Sequence, residues 1–303
     1  QKAGVRVIWD LCHYGWPDDL DLFRPEFVER FAAFAGACAR LLTSETGEAP
    51  WVVPMNEISF FGWAAGEVGY IYPFQRARGD ELKAQLVRAA IAGIEAIWDV
   101  DRRARVIHAD PVIHVLPDPD QPHSEAVAAA YRQAQFHAWD MLSGHHAPEL
   151  GGDPKYLDVV GVNYYPHNQW VYRENVGFNP AFAIARTDPR YRPFRLLLHE
   201  VWERYRRPLF IAETGAEGAA RPDWLRYIGR EVRAAMREGV PIEGICLYPI
   251  VNHPGWDDDR HCHNGLWDYA DEEGERETYE PLAQELRRQQ HLMRRAAQKQ
   301  LHA

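Results

Sequence analysis

Two apolar runs end in a carboxylate. Met55-Asn56-Glu57 closes the run that starts at Trp51, and Ala212-Glu213-Thr214 closes the run that starts at Leu209. An Asn-Glu pair is a poor ending for a core segment, and a carboxylate taken out of water is costly unless something answers its charge. Two such groups can divide labour when their surroundings push their pKa values apart, one acting as acid and the other as nucleophile. Glycoside hydrolysis is the main chemistry that needs such a pair and no cofactor. Two further runs also end in polar groups: Asn163-Tyr164-Tyr165, and Asp10 with His13 close behind. Asn163 and Tyr165 are two positions apart, so in an extended strand they face the same side.

These endings need elements that bring them to one place. Apolar runs at residues 5–10, 51–56, 105–110, 157–163, 209–213 and 242–248 read as strands. Helical patterns lie between them at 25–42, 80–98, 124–143, 194–205 and 222–238, with a last one at 280–298. Pro25 and Pro222 suit a first helical turn, and Ser124 suits an N-cap. The stretch after Asn163, rich in Pro, Asn and aromatics, reads as a long loop. Strands alternating with helices mean parallel β/α units, and near-continuous apolar runs mark strands buried on both faces. The fold class is α/β of the (β/α)8 TIM-barrel type, incomplete, because a closed barrel needs eight strands. Strand ends converge on one mouth of such a barrel. Glu57 and Glu213 are therefore expected to share a site, about 5–5.5 Å apart if the chemistry retains configuration. No low-complexity linker divides the chain, so residues 1–303 read as one domain.

Five strings, in order, resemble glycoside hydrolase family 1, the β-glucosidase-like family. His13-Tyr14-Gly15-Trp16-Pro17, with Leu20 behind it, is similar to the segment after that family's third strand. Asn56-Glu57, with Gly69 and Pro73 downstream, is similar to its acid/base strand. Val160-Gly161-Val162-Asn163-Tyr164-Tyr165 resembles its sixth strand, and Phe210-Ile211-Ala212-Glu213-Thr214-Gly215 its nucleophile strand. Leu247-Tyr248 through Trp256 to Gly265-Leu266 resembles its eighth strand and the loop behind. The resemblance implies a barrel whose strands three to eight are present. It makes Glu57 the acid/base and Glu213 the nucleophile of a retaining β-glycosidase working by double displacement through a glycosyl-enzyme. Asn56 would bond the sugar 2-hydroxyl, His13 another hydroxyl, and Tyr165 would donate to Glu213. Asn163, Tyr248, Trp170 and Trp256 complete the implied sugar-binding set, although core or interface packing would equally suit both tryptophans.

The sequence also departs from the family. Ile58 stands where a Pro follows the acid/base, Tyr248 replaces a Trp, and Gly255 replaces a sugar-binding Glu. The family's first two β/α units have no counterpart, so a fragment, or a truncated relative whose open strand edges are covered by association or by a missing N-terminal segment, is expected. Gly255 should leave a gap and loosen discrimination at the 4- and 6-hydroxyls. A catalytically inactive sugar-binding or scaffold relative is the alternative function.

Composition narrows the rest. Lys and Arg total 34 against 44 Asp and Glu, a net charge of −10, which disfavours nucleic acid as a partner. Asp257, Asp258 and Asp259 lie in the loop after the last strand, with no Lys between Lys155 and Lys299. Close like charges repel, so a neutral glycoside is expected over a phosphorylated one. Neither a GxGxxG nor a P-loop string is present, which lowers the nucleotide-binding reading. Neither His145-His146 nor His261-Cys262-His263 has zinc-site spacing, so no metal and no cofactor are implied. Arg287, Arg288, Arg294 and Arg295 read as the solvated end of the last helix. Cys12, Cys38, Cys246 and Cys262 show no disulfide framework, so a cytoplasmic setting is expected, with no membrane partner and a small carbohydrate as substrate.

Overall fold

A computed structural model describes residues 4–121, 123–173, 182–256 and 258–300; Asp257 lies outside the described residues. The chain begins with β1 (Ile8–Asp10), α1 (Pro25–Thr46), β2 (Trp51–Val53) and α2 (Ile58–Phe61), which runs on as a π-helix over Gly62–Glu67. It continues with α3 (Gly79–Val100), β3 (Arg105–Pro111), β4 (His114–Leu116), α4 (Ser124–Ala134), α5 (His137–Leu142) and β5 (Val159–Asn163). Then come β6 (Gln169–Val171), α6 (Phe194–Tyr205), β7 (Leu209–Thr214), α7 (Arg221–Arg237) and β8 (Ile242–Leu247). Two short ribbons follow, β9 (His253–Pro254) with β10 (His261–Cys262) and β11 (Trp267–Ala270) with β12 (Arg276–Thr278), and then α8 (Glu280–Gln300).

Six strands form one sheet in the order β1-β2-β3-β5-β7-β8. The ladders β1–β2, β2–β3 and β7–β8 are parallel, as β/α succession requires. The apolar runs become the strands, trimmed at their ends. β5 is buried throughout and β3 everywhere but its two termini, whereas β1 and β8 expose much of their length. Burial on both faces belongs to inner strands, and the two partly exposed strands are the ends of the order.

The chain divides into two compact units. The first comprises residues 1–111 and 130–161, the second 112–129 and 162–303. In the first unit the core is the seam between α1 and α3. Pro25 opens α1, where its missing N–H is no loss, and Gly47 closes it at φ 69°, its amide returning to the Thr43 carbonyl. Phe27, Phe31, Ala35 and Ala39 follow one another at helical spacing and are buried. They meet a core that includes Leu82, Leu86, Ala90 and Ile94 of α3. At Gly93 a Cβ would stand 2.7 Å from Phe31 Cε1, so a side chain there would force the Phe31 ring to shift. Burying each large side chain here contributes roughly 1.5–3 kcal/mol.

In the second unit α7 buries Trp224, Leu225, Ile228 and Val232 along one face. Arg195 of α6 reaches Glu231 at 2.9 Å, and Arg226 reaches Glu285 of α8 at 2.9 Å. Both glutamates are buried, so these arginines satisfy charges that would otherwise be costly. Two stretches differ from the sequence expectation. The single helix at 124–143 is broken between α4 and α5, where Gln135 turns its side-chain amide onto the Arg132 carbonyl at 2.5 Å in competition with the helical ladder. The loop after Asn163 contains β6, which pairs in parallel with β4.

Candidate active site

Each unit builds one carboxylate centre. In the first, β2 runs out and the chain turns sharply at Glu57, which adopts φ 47°, ψ 55°. A left-handed backbone is unfavourable for a side chain as large as Glu and persists only when its neighbours hold it. The holders are on β3. The Glu57 amide donates to the Ala109 carbonyl at 2.9 Å. The next residue, Asp110, accepts the Ser59 amide at 3.1 and 3.0 Å and the Phe60 amide at 3.4 Å, so its carboxyl group caps α2. Asp110 is buried, no cation pairs with it among the described residues, and burial pushes its pKa up to about 8, with the nearby Glu57 charge adding to the rise.

The Glu57 side chain is also held. Tyr14, in the loop after β1, donates its phenol to Glu57 Oε2. Asn56 Nδ2 donates in turn to Tyr14 Oη at 3.2 Å. The Tyr14 ring lies 5.1 Å from Phe61, stacked, and 6.1 Å from Phe60. His13 stands exposed beside it, its Nδ1 2.8 Å from Asp10 Oδ2. Asn56, Glu57 and His13 thus sit in one neighbourhood with Tyr14 and Asp110, which the sequence does not mark as site residues. Asp110 does close an apolar run, as Glu57 and Glu213 close theirs, and that place is the signal for it.

In the second unit Glu213 lies on β7 in extended backbone. Tyr165 Oη donates to Glu213 Oε2 at 2.7 Å, the contact expected of it. The strand end is tied on several sides. Tyr164 N donates to the Glu213 carbonyl at 2.9 Å, Thr214 Oγ1 to the Tyr164 carbonyl at 2.7 Å, and Trp224 Nε1 to Thr214 Oγ1 at 2.9 Å. Tyr248 N donates to the Thr214 carbonyl at 3.0 Å. A Cβ at Gly215 would come within 2.1 Å of the Tyr248 carbonyl oxygen, which explains the glycine beside the carboxylate. An open cavity of about 210 Å³ adjoins this end, lined by Pro166, Ile184, Ala216 and Trp224 among others, with no carboxylate in its wall.

The other expected site residues divide. Asn163 is fully buried at the end of β5, and its carbonyl accepts the Val112 amide at 3.1 Å. Tyr248 is half-buried, its ring 6.4 Å from His253. Trp170 is buried on the small β4–β6 ribbon rather than on the six-stranded sheet, whereas Trp256 is 56% exposed. The gap expected at Gly255 is filled: Asp258 Oδ1 lies 2.1 Å from where a Cβ would stand. Among the described residues no three or more His, Cys, Asp and Glu side chains are placed to hold a metal ion, and no helix is long and apolar enough to cross a membrane.

No protein-family model matches this sequence, and neither does any curated protein. Solved structures do. The family 1 β-glucosidase from Thermotoga maritima superposes with a TM-score of 0.74 at 15% identity, over 92% of this chain and 72% of that one. The β-glycosidase from Pyrococcus horikoshii gives 0.74 at 19%, over 93% and 70%. The AHE enzyme from Alicyclobacillus herbarius gives 0.75 at 14%, over 95% and 75%. At these identities the likeness establishes the fold: an α/β chain whose six-stranded parallel sheet is that of a partial TIM barrel.

Proposed function

We propose that this chain is a retaining β-glycosidase acting on neutral β-glycosides, with Glu57 as acid/base and Glu213 as nucleophile. The observation that carries the reading is the Tyr165 Oη–Glu213 Oε2 hydrogen bond of 2.7 Å. A phenol donating to a carboxylate favours its ionised form and fixes its aim, which suits a nucleophile. The fold likeness to β-glucosidases and the Asn56-Glu57 strand ending support the same reading.

In this mechanism Glu57 gives its proton to the leaving oxygen as Glu213 Oε attacks the anomeric carbon. The C–O bond to the aglycone breaks, and a glycosyl ester forms on Glu213. Glu57, now ionised, takes a proton from water, which attacks the anomeric carbon and frees the carboxylate. Asn56 and His13 are assigned to sugar hydroxyls, Tyr248 and Trp256 to the sugar face.

A 2-deoxy-2-fluoro aryl glycoside tests this directly, because it slows release of the glycosyl-enzyme. Gluco-, galacto- and fuco-configured probes are incubated with the chain, and the digest is read by mass spectrometry. A glycosyl mass on the peptide containing Glu213 is expected; a label on another residue would reject the assignment. The competing reading, an inactive sugar-binding relative, is favoured by Gly255 where the resembling family carries a sugar-binding Glu. Saturable sugar binding with no label and no turnover would select it.

A further inference from the structure

We infer that Tyr14 is a positioning residue for Glu57: its phenol donates to Glu57 Oε2 and holds that carboxylate in its ionised form. This rests on reading Glu57 as the acid/base. Three observations carry it. The Tyr14 hydroxyl reaches the carboxylate. Asn56 Nδ2 donates to the same Tyr14 oxygen at 3.2 Å, which occupies its acceptor side and turns its own proton towards Glu57. Tyr14 reaches this position from a left-handed backbone at φ 65°, an unfavourable conformation for an aromatic residue that the surrounding contacts must sustain.

The consequence concerns protonation. A general acid must carry its proton when substrate arrives. A donor aimed at the ionised form makes that proton easier to lose, so Tyr14 limits the pH range over which Glu57 is a competent acid. Other charged groups act nearby. Asp110, from β3, is coupled to Glu57 and opposes Tyr14 once it ionises. His13, next to Tyr14, is paired with Asp10 at the exposed edge. Packing of the Tyr14 ring on Phe61 would survive removal of the hydroxyl, so the electrostatic and packing roles separate cleanly in one variant.

The test is the pH dependence of kcat/KM for Tyr14→Phe on whichever aryl β-glycoside of a gluco, galacto and fuco panel the native chain hydrolyses best. Loss of one charge-assisted hydrogen bond should move the alkaline limb up by about one pH unit and leave the acid limb in place. An alkaline limb that stays put, or moves down, overturns the inference. So does an equal loss of activity at every pH, the mark of a merely structural role. If Tyr14→Phe does not fold, 3-fluorotyrosine at position 14 keeps the shape and makes the phenol a stronger donor. The limb must then move down, and no movement overturns the inference. Failure of Glu57 itself as acid/base is read separately. Glu57→Ala would then show no azide rescue, whatever Tyr14 does.

Discussion

Glu57 sits at a bend and Glu213 on a strand. Glu57 occupies left-handed backbone after a three-residue β2, is almost fully buried, and depends on β3 for its amide and for the cap on α2. Glu213 continues a six-residue strand, is half-buried, and has ordinary extended backbone locked by Tyr164, Thr214 and Trp224. Each receives one tyrosine hydroxyl. The difference matters because the proposed tasks differ. A nucleophile needs a fixed aim and a stable negative charge, which a strand and one phenol supply. A group that must lose one proton and regain one in each turnover has different needs, and Glu57 has the Tyr14 donor on its carboxylate and the Asp110 carboxyl group nearby.

The largest expected effect separates the two carboxylates. Glu213→Gln should abolish hydrolysis of every aryl β-glycoside by about 10⁴-fold or more, since no nucleophile remains to form the ester. Glu57→Ala should instead depend on the leaving group. The loss should be about 10²–10⁴-fold for poor leaving groups and small for dinitrophenolate, with azide restoring turnover by attacking the glycosyl-enzyme. Initial rates across a series of substituted phenyl glycosides measure both. Identical, unrescued losses for the two variants would erase the functional distinction between the bend and the strand.

The sequence made one of these centres far more legible than the other. Glu213 follows from a local pattern, an apolar run ending in a carboxylate, whereas its contact with Tyr165 spans 48 positions, lies two residues beyond β5 and came only with the family resemblance. Asn56-Glu57 was visible for the same reason. Its surroundings were not. The Tyr14 contact spans 43 positions and depends on φ 65°, which no propensity favours for Tyr. The π-helix after Phe61 and the break before α5 are equally opaque, since each depends on hydrogen bonds that compete with the regular ladder. For Trp170 the sequence left sugar contact and core packing equally open; β6 pairs with β4 and buries it.

The second prediction tests whether the bend is under electrostatic strain. Asp110 titrates at about 8 in the fold, against an ordinary value of 3.8. A carboxyl group raised on folding stabilises fully below its unfolded value, and that contribution is lost as pH climbs towards the folded value. Stability of the native chain should therefore fall between about pH 4 and pH 8, by at most about 1.4 kcal/mol per pH unit from this group. Asp110→Asn keeps an acceptor for the Ser59 amide and removes the titration. Urea unfolding at pH 5, 6.5 and 8 should show the native chain losing about 2–4 kcal/mol relative to the variant across that span. Parallel pH profiles for the two proteins would mean that Asp110 is an ordinary cap and that the bend carries no stored charge.

The smallest expected effect compares the two tyrosines. Tyr165→Phe removes the donor at 2.7 Å from Glu213 and leaves the backbone ties of β7 intact. A charge-assisted hydrogen bond is worth about 1.5–3 kcal/mol, so kcat/KM should fall by about 10–100-fold. Direction separates this variant from Tyr14→Phe. The nucleophile must be ionised to act, so losing its donor raises the pH at which it becomes competent and moves the acid limb up. The alkaline limb, assigned to Glu57, should not respond. If the acid limb stays fixed while rates fall equally at all pH values, Tyr165 aligns Glu213 without stabilising its charge. If instead the alkaline limb moves, the acid and base roles of the two carboxylates are exchanged, and the bend rather than the strand carries the nucleophile.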